Sequence, residues 1–202
     1  MDLPALLTFW AAFALALISP GPNFALMLKI GLGSGRAAAL RTTLGIAAGE
    51  AVWGFAAVFG VAALALHYPV LGTAIRLAGG SFLLWLALSA LRSAWRGAEA
   101  ETNTLPASGG FWTGLALMLL NAKAGFFWVS LTGVLLGPKI APATGACAVL
   151  VAVLLSLLWH GVLALAFSGR RLTRLYARAR RGIEVVLGAA LAALGLRLLA
   201  AS

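Results

Sequence analysis

Six long apolar segments dominate the sequence, and each can cross the roughly 30 Å hydrocarbon layer of a bilayer. They lie at Leu6–Ile30, Thr42–Leu66, Val70–Leu91, Gly110–Leu136, Ala143–Phe167 and Ile183–Leu199. With 62% hydrophobic and 10% charged residues, the 202-residue chain has too little polar surface for a water-soluble domain. Backbone groups in lipid must be satisfied within each segment. We therefore predict an all-α membrane protein, a single transmembrane domain (residues 1–202) of six transmembrane helices.

The basic residues are distributed unevenly among the connections between these segments. Alternate connections carry eleven of the fifteen Lys and Arg residues, including six arginines between Arg170 and Arg181. Such clusters between spans usually set topology and contact anionic lipid, so we predict membrane lipid and no nucleic acid as partner. The basic loops should be cytoplasmic in a multi-pass protein of the bacterial cytoplasmic (inner) membrane, with both termini outside.

The two halves of the chain resemble each other weakly. Phe9–Leu28 and Phe111–Ser130 share six of twenty positions and both begin with Phe-Trp. Each match begins the first span of a three-span half, and an odd number of spans turns the second half upside down. The pattern predicts two inverted three-helix repeats, about 1–96 and 107–202, as in many secondary transporters.

The first span contains its own helix breaker, Pro20, Gly21 and Pro22, followed by Asn23. Proline lacks an N–H group, so the helix should stop near Ser19 and restart near Asn23. Within the bilayer, such a break must face protein or a water-filled cavity. It presents free carbonyls and a half-helix N-terminus, which suit the ammonium and carboxylate ends of an amino acid. The alternative is a proline kink that only packs against its neighbours.

Two charged side chains lie well inside spans. Lys123 is near the middle of the fourth span, where an ammonium group costs at least ~2.5–3.5 kcal/mol and needs a partner or water. Glu50 lies inside the second span. We predict that both line one cavity, with Lys123 as a carboxylate or proton-coupling site and Glu50 as a proton acceptor or ammonium site. A static ion pair is the alternative. Glu184, beside the arginine cluster, is interpreted as an ordinary edge charge.

Several further polar or aromatic residues are candidates for secondary roles. Asn23 and Asn121 can cap a broken helix or contact substrate. His160, deep in the fifth span, can relay protons, although packing is the favoured interpretation. Trp53 and Trp159 could wall a cavity, but helix packing is again favoured.

The segment Gly45–Gly49 ("GIAAG") has small residues four apart. Such spacing permits close approach of two membrane helices. We predict a packing role for these two glycines.

The sequence offers little for catalysis, metal binding or cofactors. The single cysteine, Cys147, excludes an intramolecular disulfide. One buried glutamate and one deep histidine are a poor set of metal ligands. No G-x-x-x-x-G-K-[ST] nucleotide-binding loop is present. Ser156 and His160 are four apart on one helix, but no nucleophile motif accompanies them, so we predict no enzyme, no metal site and no cofactor.

Specific motifs resemble one family. The elements "SPGPN" and "GSGRAAALRTTLGIAAGE" in the first half, with "NAKAGFFW" in the fourth span, are similar to the lysine-exporter and homoserine/threonine-resistance (LysE/RhtB-type) family of bacterial amino-acid efflux proteins. The segments "IRLAGGSFLLWLALSALR" and "LGAALAALGLRLL" fit its third and last spans. The resemblance covers essentially the whole chain.

The resemblance implies a secondary transporter that exports amino acids or close derivatives, driven by the proton motive force. The residues at its motif positions are Pro20, Gly21, Pro22, Asn23, Asn121 and Lys123. Ala122 stands where the family usually has proline, so the second break should be softer. The expected partners are an amino-acid-like substrate and protons, and a homo-oligomer stays open. The alternative function is a channel or transporter for a different small solute or metal cation.

Overall fold

The computed structural model describes residues 3–18, 22–96, 108–135, 140–166 and 170–200. Within these ranges the chain is all-helical, with eight α-helices and no strand. The helices are α1 (Leu3–Ile18), α2 (Pro22–Gly33), α3 (Gly35–His67), α4 (Pro69–Arg96), α5 (Phe111–Leu120), α6 (Ala122–Leu135), α7 (Pro142–Ala166) and α8 (Arg170–Ala200).

Four of these helices, α3, α4, α7 and α8, are each long and apolar enough to cross a membrane. The pairs α1/α2 and α5/α6 pass the same test together, with bends of 48° and 64° between their helices. Counting each bent pair as one span gives up to six spans, at the places where the hydropathy of the sequence predicted them. The inverted relation of the two halves stays a prediction.

The first break lies where the prolines predicted it. α1 ends at Ile18 and α2 begins at Pro22. Proline is well tolerated at a helix start because the N–H group that it lacks has no helical partner there. Pro20 and Gly21 lie outside the described residues.

The second break is made by an asparagine. Asn121 separates α5 from α6 with non-helical backbone angles of φ −78° and ψ 87°. Its Oδ1 accepts a hydrogen bond from the backbone N–H of Ala124 at 3.3 Å, which caps the new helix. The expectation of a softer break at Ala122 is therefore wrong, because this bend is the sharper of the two. The Asn121 side chain caps α6, so the helix can begin anew here without a proline.

Helices α3 and α5 pack so closely that their backbones touch. A Cβ added to Gly45 would overlap the carbonyl oxygen of Phe111, and one added to Gly114 would overlap that of Thr42. One turn along α3, Gly49 lies against the side chain of Met118. The packing role predicted for the small residues of α3 is confirmed. This contact fixes α5, and with it the second break, against the helix that carries Glu50.

Elsewhere, α4 packs against α8 and α6, and α3 packs against α7. Two buried apolar clusters fill the interior, one around Trp128 and one around Met118. Large apolar side chains also cover much of the outer surface, with Trp112 and Leu120 among the most exposed. An apolar exterior around a packed interior is what a lipid-facing bundle requires.

Candidate functional site

A cavity of about 190 Å³ lies between the two broken helices and the helices α3, α4, α7 and α8. Its apolar wall includes Phe13, Phe127 and Trp128. Its polar residues are Asn23, Glu50, Ser89, Ser93, Asn121, Lys123, His160 and Glu184. Five of these eight, namely Asn23, Glu50, Asn121, Lys123 and His160, were candidates from the sequence.

The remaining candidates lie elsewhere. Pro20 and Gly21 fall outside the described residues, and Pro22 is described only as the first residue of α2. Neither Trp53 nor Trp159 lines the cavity. The indole N–H of Trp53 donates to the carbonyl oxygen of Met118 at 3.1 Å. Trp159 packs against the cluster around Met118, so both tryptophans take part in helix packing.

Glu50 is a buried acid of the site, with 4% of its surface exposed. The indole N–H of Trp128 donates to its Oε2 at 2.5 Å. The Trp128 ring packs against the rings of Phe9 and Phe13 on α1, whose centroids lie 5.9 and 5.0 Å from its own. The other carboxylate oxygen, Oε1, has no hydrogen-bond partner among the described residues and is the oxygen left for the cavity.

Lys123 lies in the same cavity wall, one residue past the start of α6. It is exposed, and within the described ranges no ion pair joins it to Glu50. The static ion pair considered from the sequence is thus not what these residues form. An ammonium group at this depth without an ionic partner needs water or a ligand, and the cavity provides room for either.

The two asparagines of the breaks serve different purposes. Asn121 uses its Oδ1 to cap α6. Asn23 donates from Nδ2 to Sδ of Met118 at 3.4 Å, while its Oδ1 is buried with no partner in the described part of the chain. A buried acceptor without a donor is unfavourable by ~1–3 kcal/mol. Asn23 therefore has a side-chain acceptor left for a ligand.

His160 lies in the wall contributed by α7 and is 2% exposed. Its Nδ1 lies 3.0 Å from the backbone oxygen and 3.2 Å from Oγ of Ser156, one turn earlier on the same helix. This nitrogen is satisfied locally, which leaves Nε2 as the ring nitrogen for other contacts. The described residues contain no group of three or more His, Cys, Asp or Glu side chains that could hold a metal ion.

Sequence reasoning missed Glu184. Interpreted there as an edge charge, it is 2% exposed and lines the cavity. Its Oε1 accepts hydrogen bonds from the Ser93 hydroxyl at 2.8 Å and from Nε of Arg180 at 3.0 Å. One signal was present in the sequence: Ser89, in the third span, and Ser93, just past its end, are four residues apart and place hydroxyls on one helix face.

The Trp128 contact predicts a measurable role for one indole nitrogen. Trp128→Phe keeps an aromatic ring against Phe9 and Phe13 but removes the donor to Glu50. Hydrogen bonds to charged groups are worth ~1.5–3 kcal/mol. For the amino-acid transport that the family resemblance implies, a Glu50 carboxylate without this donor is held less firmly for the substrate, and we expect substrate affinity to fall about tenfold or more. The measurement is concentration-dependent transport in membrane vesicles.

A matched control is Trp10→Phe. It also removes a tryptophan N–H hydrogen bond, here to the carbonyl oxygen of Ala148 at 3.1 Å, away from the cavity. We expect Trp10→Phe to leave affinity unchanged. Equal losses in both variants would show that the Trp128 bond supports only the fold.

Comparison with known proteins identifies the family. The model of the family described as "LysE type translocator" matches residues 14–202. The chain belongs to this family. Its members are transporters, and together with the apolar helices this makes the chain a multi-pass inner-membrane protein.

Three relatives illustrate the similarity. The chain is 31% identical to "Uncharacterized membrane protein YahN" of Escherichia coli (strain K12), over 93% of this chain and 85% of the relative. It is 31% identical to the "Threonine efflux protein" of Salmonella typhi, over 91% and 92% respectively. It is 34% identical to the "Leucine efflux protein" of Klebsiella pneumoniae, over 61% and 59%. No solved structure matches the chain significantly.

Proposed function

We propose that this protein exports amino acids across the bacterial inner membrane in exchange for protons. The observation that carries the proposal is that Glu50, on α3, and Lys123, on α6, line the same cavity. Relatives named threonine and leucine efflux proteins support the amino-acid class. The cavity, at about 190 Å³, is far larger than the ~10–15 Å³ that a single water needs.

The charges of the cavity complement an amino-acid zwitterion. Lys123 offers an ammonium group to the substrate carboxylate, and Glu50 offers Oε1 to the substrate ammonium. The Oδ1 of Asn23, which has no partner in the described ranges, is an acceptor for a second ammonium hydrogen. Apolar neighbours such as Phe13 and Phe127 lower the local dielectric, which strengthens both charge contacts.

Proton coupling follows if proton and substrate compete for Glu50. A protonated carboxyl group no longer attracts an ammonium group, so Glu50 holds one or the other. If Glu50 must release a proton before it binds each substrate molecule, the protein moves protons and substrate in opposite directions, as an antiporter does. A charge moving through 100 mV yields ~2.3 kcal/mol, and each tenfold of uphill export requires ~1.4 kcal/mol. One proton per zwitterion thus supports a gradient of some tens-fold.

The orientation in the membrane follows from the basic residues. Lys29, Arg36 and Arg41 flank the junction of α2 and α3, and Arg92 and Arg96 end α4. The six arginines between residues 170 and 181 begin α8. We assign this side to the cytoplasm because cytoplasmic loops carry the excess of Lys and Arg. Two inverted repeats, each with one broken helix, complete the proposed architecture.

Uptake into inside-out vesicles tests this function, because export then appears as accumulation in the lumen. With an acidic lumen, vesicles containing the protein should accumulate labelled threonine or leucine above vesicles without it. A protonophore should remove the difference. Accumulation that survives the protonophore would contradict proton coupling. No accumulation of any of the twenty common amino acids would contradict amino-acid export itself.

A further inference from the structure

The cavity contains a second polar cluster that the proposed exchange at Glu50 and Lys123 does not use. Helix α8 contributes Glu184, and α4 contributes Ser89 and Ser93, one helical turn apart. Arg180 lies beside them and donates from Nη2 to Oγ of Ser93 at 3.0 Å. The Ser93 hydroxyl and Arg180 Nε both donate to Oε1 of Glu184. Three side chains therefore hold one another in a closed arrangement.

This arrangement leaves hydrogen-bonding capacity unfilled at two atoms. Oε2 of Glu184 is buried without a partner among the described residues, and an ionised carboxylate oxygen can only accept. The Ser89 hydroxyl lines the cavity and likewise makes no hydrogen bond to a described residue. The terminal torsion of a glutamate is soft, so a small rotation can bring a carboxylate oxygen to the cavity. The Glu184 carboxylate and the Ser89 hydroxyl can both accept a hydrogen bond from a ligand that carries a donor.

We propose that Glu184 and Ser89 form a side-chain subsite that recognises a hydrogen-bond donor, such as a hydroxyl group, on the transported amino acid. The inference rests on the proposed function, since it assumes that the substrate backbone occupies Glu50 and Lys123. Glu184 then determines specificity rather than coupling, and Arg180 and Ser93 are positioning residues that hold its carboxylate.

The formal charges indicate a neutral donor rather than a second cation. Arg180 neutralises Glu184 through the 3.0 Å ion pair between Nε and Oε1. Glu50 and Lys123 together match the two charges of a zwitterion. A substrate with a cationic side chain would add a positive charge that neither of the two lining carboxylates is left to offset, which is unfavourable in a partly buried site. A hydroxyl or amide donor satisfies Oε2 without that penalty.

Export of an isosteric pair of amino acids tests the subsite. Threonine and valine differ by a hydroxyl in place of a methyl group. In inside-out vesicles, the full-length protein should transport threonine about tenfold or more faster than valine at low concentration, as expected for one hydrogen bond to a charged group. Glu184→Gln should lower the threonine-to-valine ratio about tenfold. Ser89→Ala should lower the ratio in the same direction.

The matched control is Ser130→Ala. Ser130 is a buried serine whose hydroxyl donates to the carbonyl oxygen of Phe126, and it does not line the cavity, whereas Ser89 is half-buried and does. This variant should leave the ratio unchanged. If Glu184→Gln does not accumulate in the membrane, the threonine-to-valine ratio of Ser89→Ala alone tests the subsite.

The outcomes separate the two proposals. A threonine-to-valine ratio that is the same in the original protein and in Ser89→Ala or Glu184→Gln overturns the subsite, as does an equal loss of both substrates. Either result leaves amino-acid export standing. Absence of transport for all amino acids instead removes the proposed function, and the subsite with it.

Discussion

Glu50→Gln is expected to abolish proton-driven uptake, lowering the initial rate at least about a hundredfold. Glutamine has nearly the same shape, and its side-chain oxygen can still accept the hydrogen bond that Trp128 donates to Glu50. It can neither carry a proton nor attract an ammonium group by charge. Removing one charge from a desolvated charge contact costs ~3–5 kcal/mol, and each ~1.4 kcal/mol is a factor of ten. The measurement is labelled uptake into inside-out vesicles, normalised to the amount of protein.

Lys123→Ala should cause a similar loss for a different reason. The alanine variant removes the ammonium group proposed to bind the substrate carboxylate, while the exposed position of Lys123 leaves the core intact. Lys29→Ala is the matched control, because it removes a lysine from α2 outside the cavity wall. Full rates in Glu50→Gln and Lys123→Ala would show that the cavity charges are not the transport site. A loss in Lys29→Ala as large as that in Lys123→Ala would point to general charge effects.

The spans and their breaks were predictable from sequence because each depends on local chemistry. Hydropathy alone located the six apolar segments, and the structure has helices or bent helix pairs at those places. The missing N–H groups of the prolines located the end of α1. The spacing of Gly45 and Gly49 indicated a close helix contact, which is present. In each case the signal lies within one segment and needs no knowledge of its neighbours.

Glu184 could not be placed in the same way. An Arg180–Glu184 pair four residues apart fits an exposed helix face equally well. Its burial depends on how α8 is rotated against α4, which brings Ser93 to within 2.8 Å of the carboxylate. The partnership of Trp128 with Glu50 likewise depends on the direction of one indole N–H across two helices. Such contacts arise between segments 78 to 91 residues apart, and no local pattern specifies them.

The sharpness of the second break was misjudged for a related reason. The softer break expected at position 122 depends on the missing proline alone, whereas the neighbouring Asn121 supplies a cap. A capping side chain and a proline break a helix in different ways. The side chain accepts a hydrogen bond from a free N–H group at the start of the next helix, whereas proline lacks the N–H group that would continue the preceding helix. Residues next to both breaks line the cavity, Asn23 after the first and Asn121 and Lys123 at the second.

Gly45→Ala is expected to destabilise the folded protein by about 3 kcal/mol, the upper end of the usual range for overpacking. The added methyl group meets the backbone of α5 at Phe111 and Leu115, and backbone cannot move aside as a flexible side chain can. The two helices must separate, which also disturbs the hydrogen bond from the Gly110 N–H to the Thr42 hydroxyl at 2.9 Å. The thermal midpoint of the protein purified in detergent measures the loss.

Gly60→Ala is the matched control on the same helix, because a Cβ there meets nothing within 4 Å. We expect its thermal midpoint to stay close to that of the original protein. Gly114→Ala should destabilise like Gly45→Ala, since Gly114 meets the backbone of α3 from the opposite side. The double variant should lose less than the sum of the two, because helices already forced apart accommodate the second methyl group more easily. Full additivity, or a midpoint unchanged by Gly45→Ala, would contradict direct backbone contact between α3 and α5, the contact that holds the second break beside Glu50.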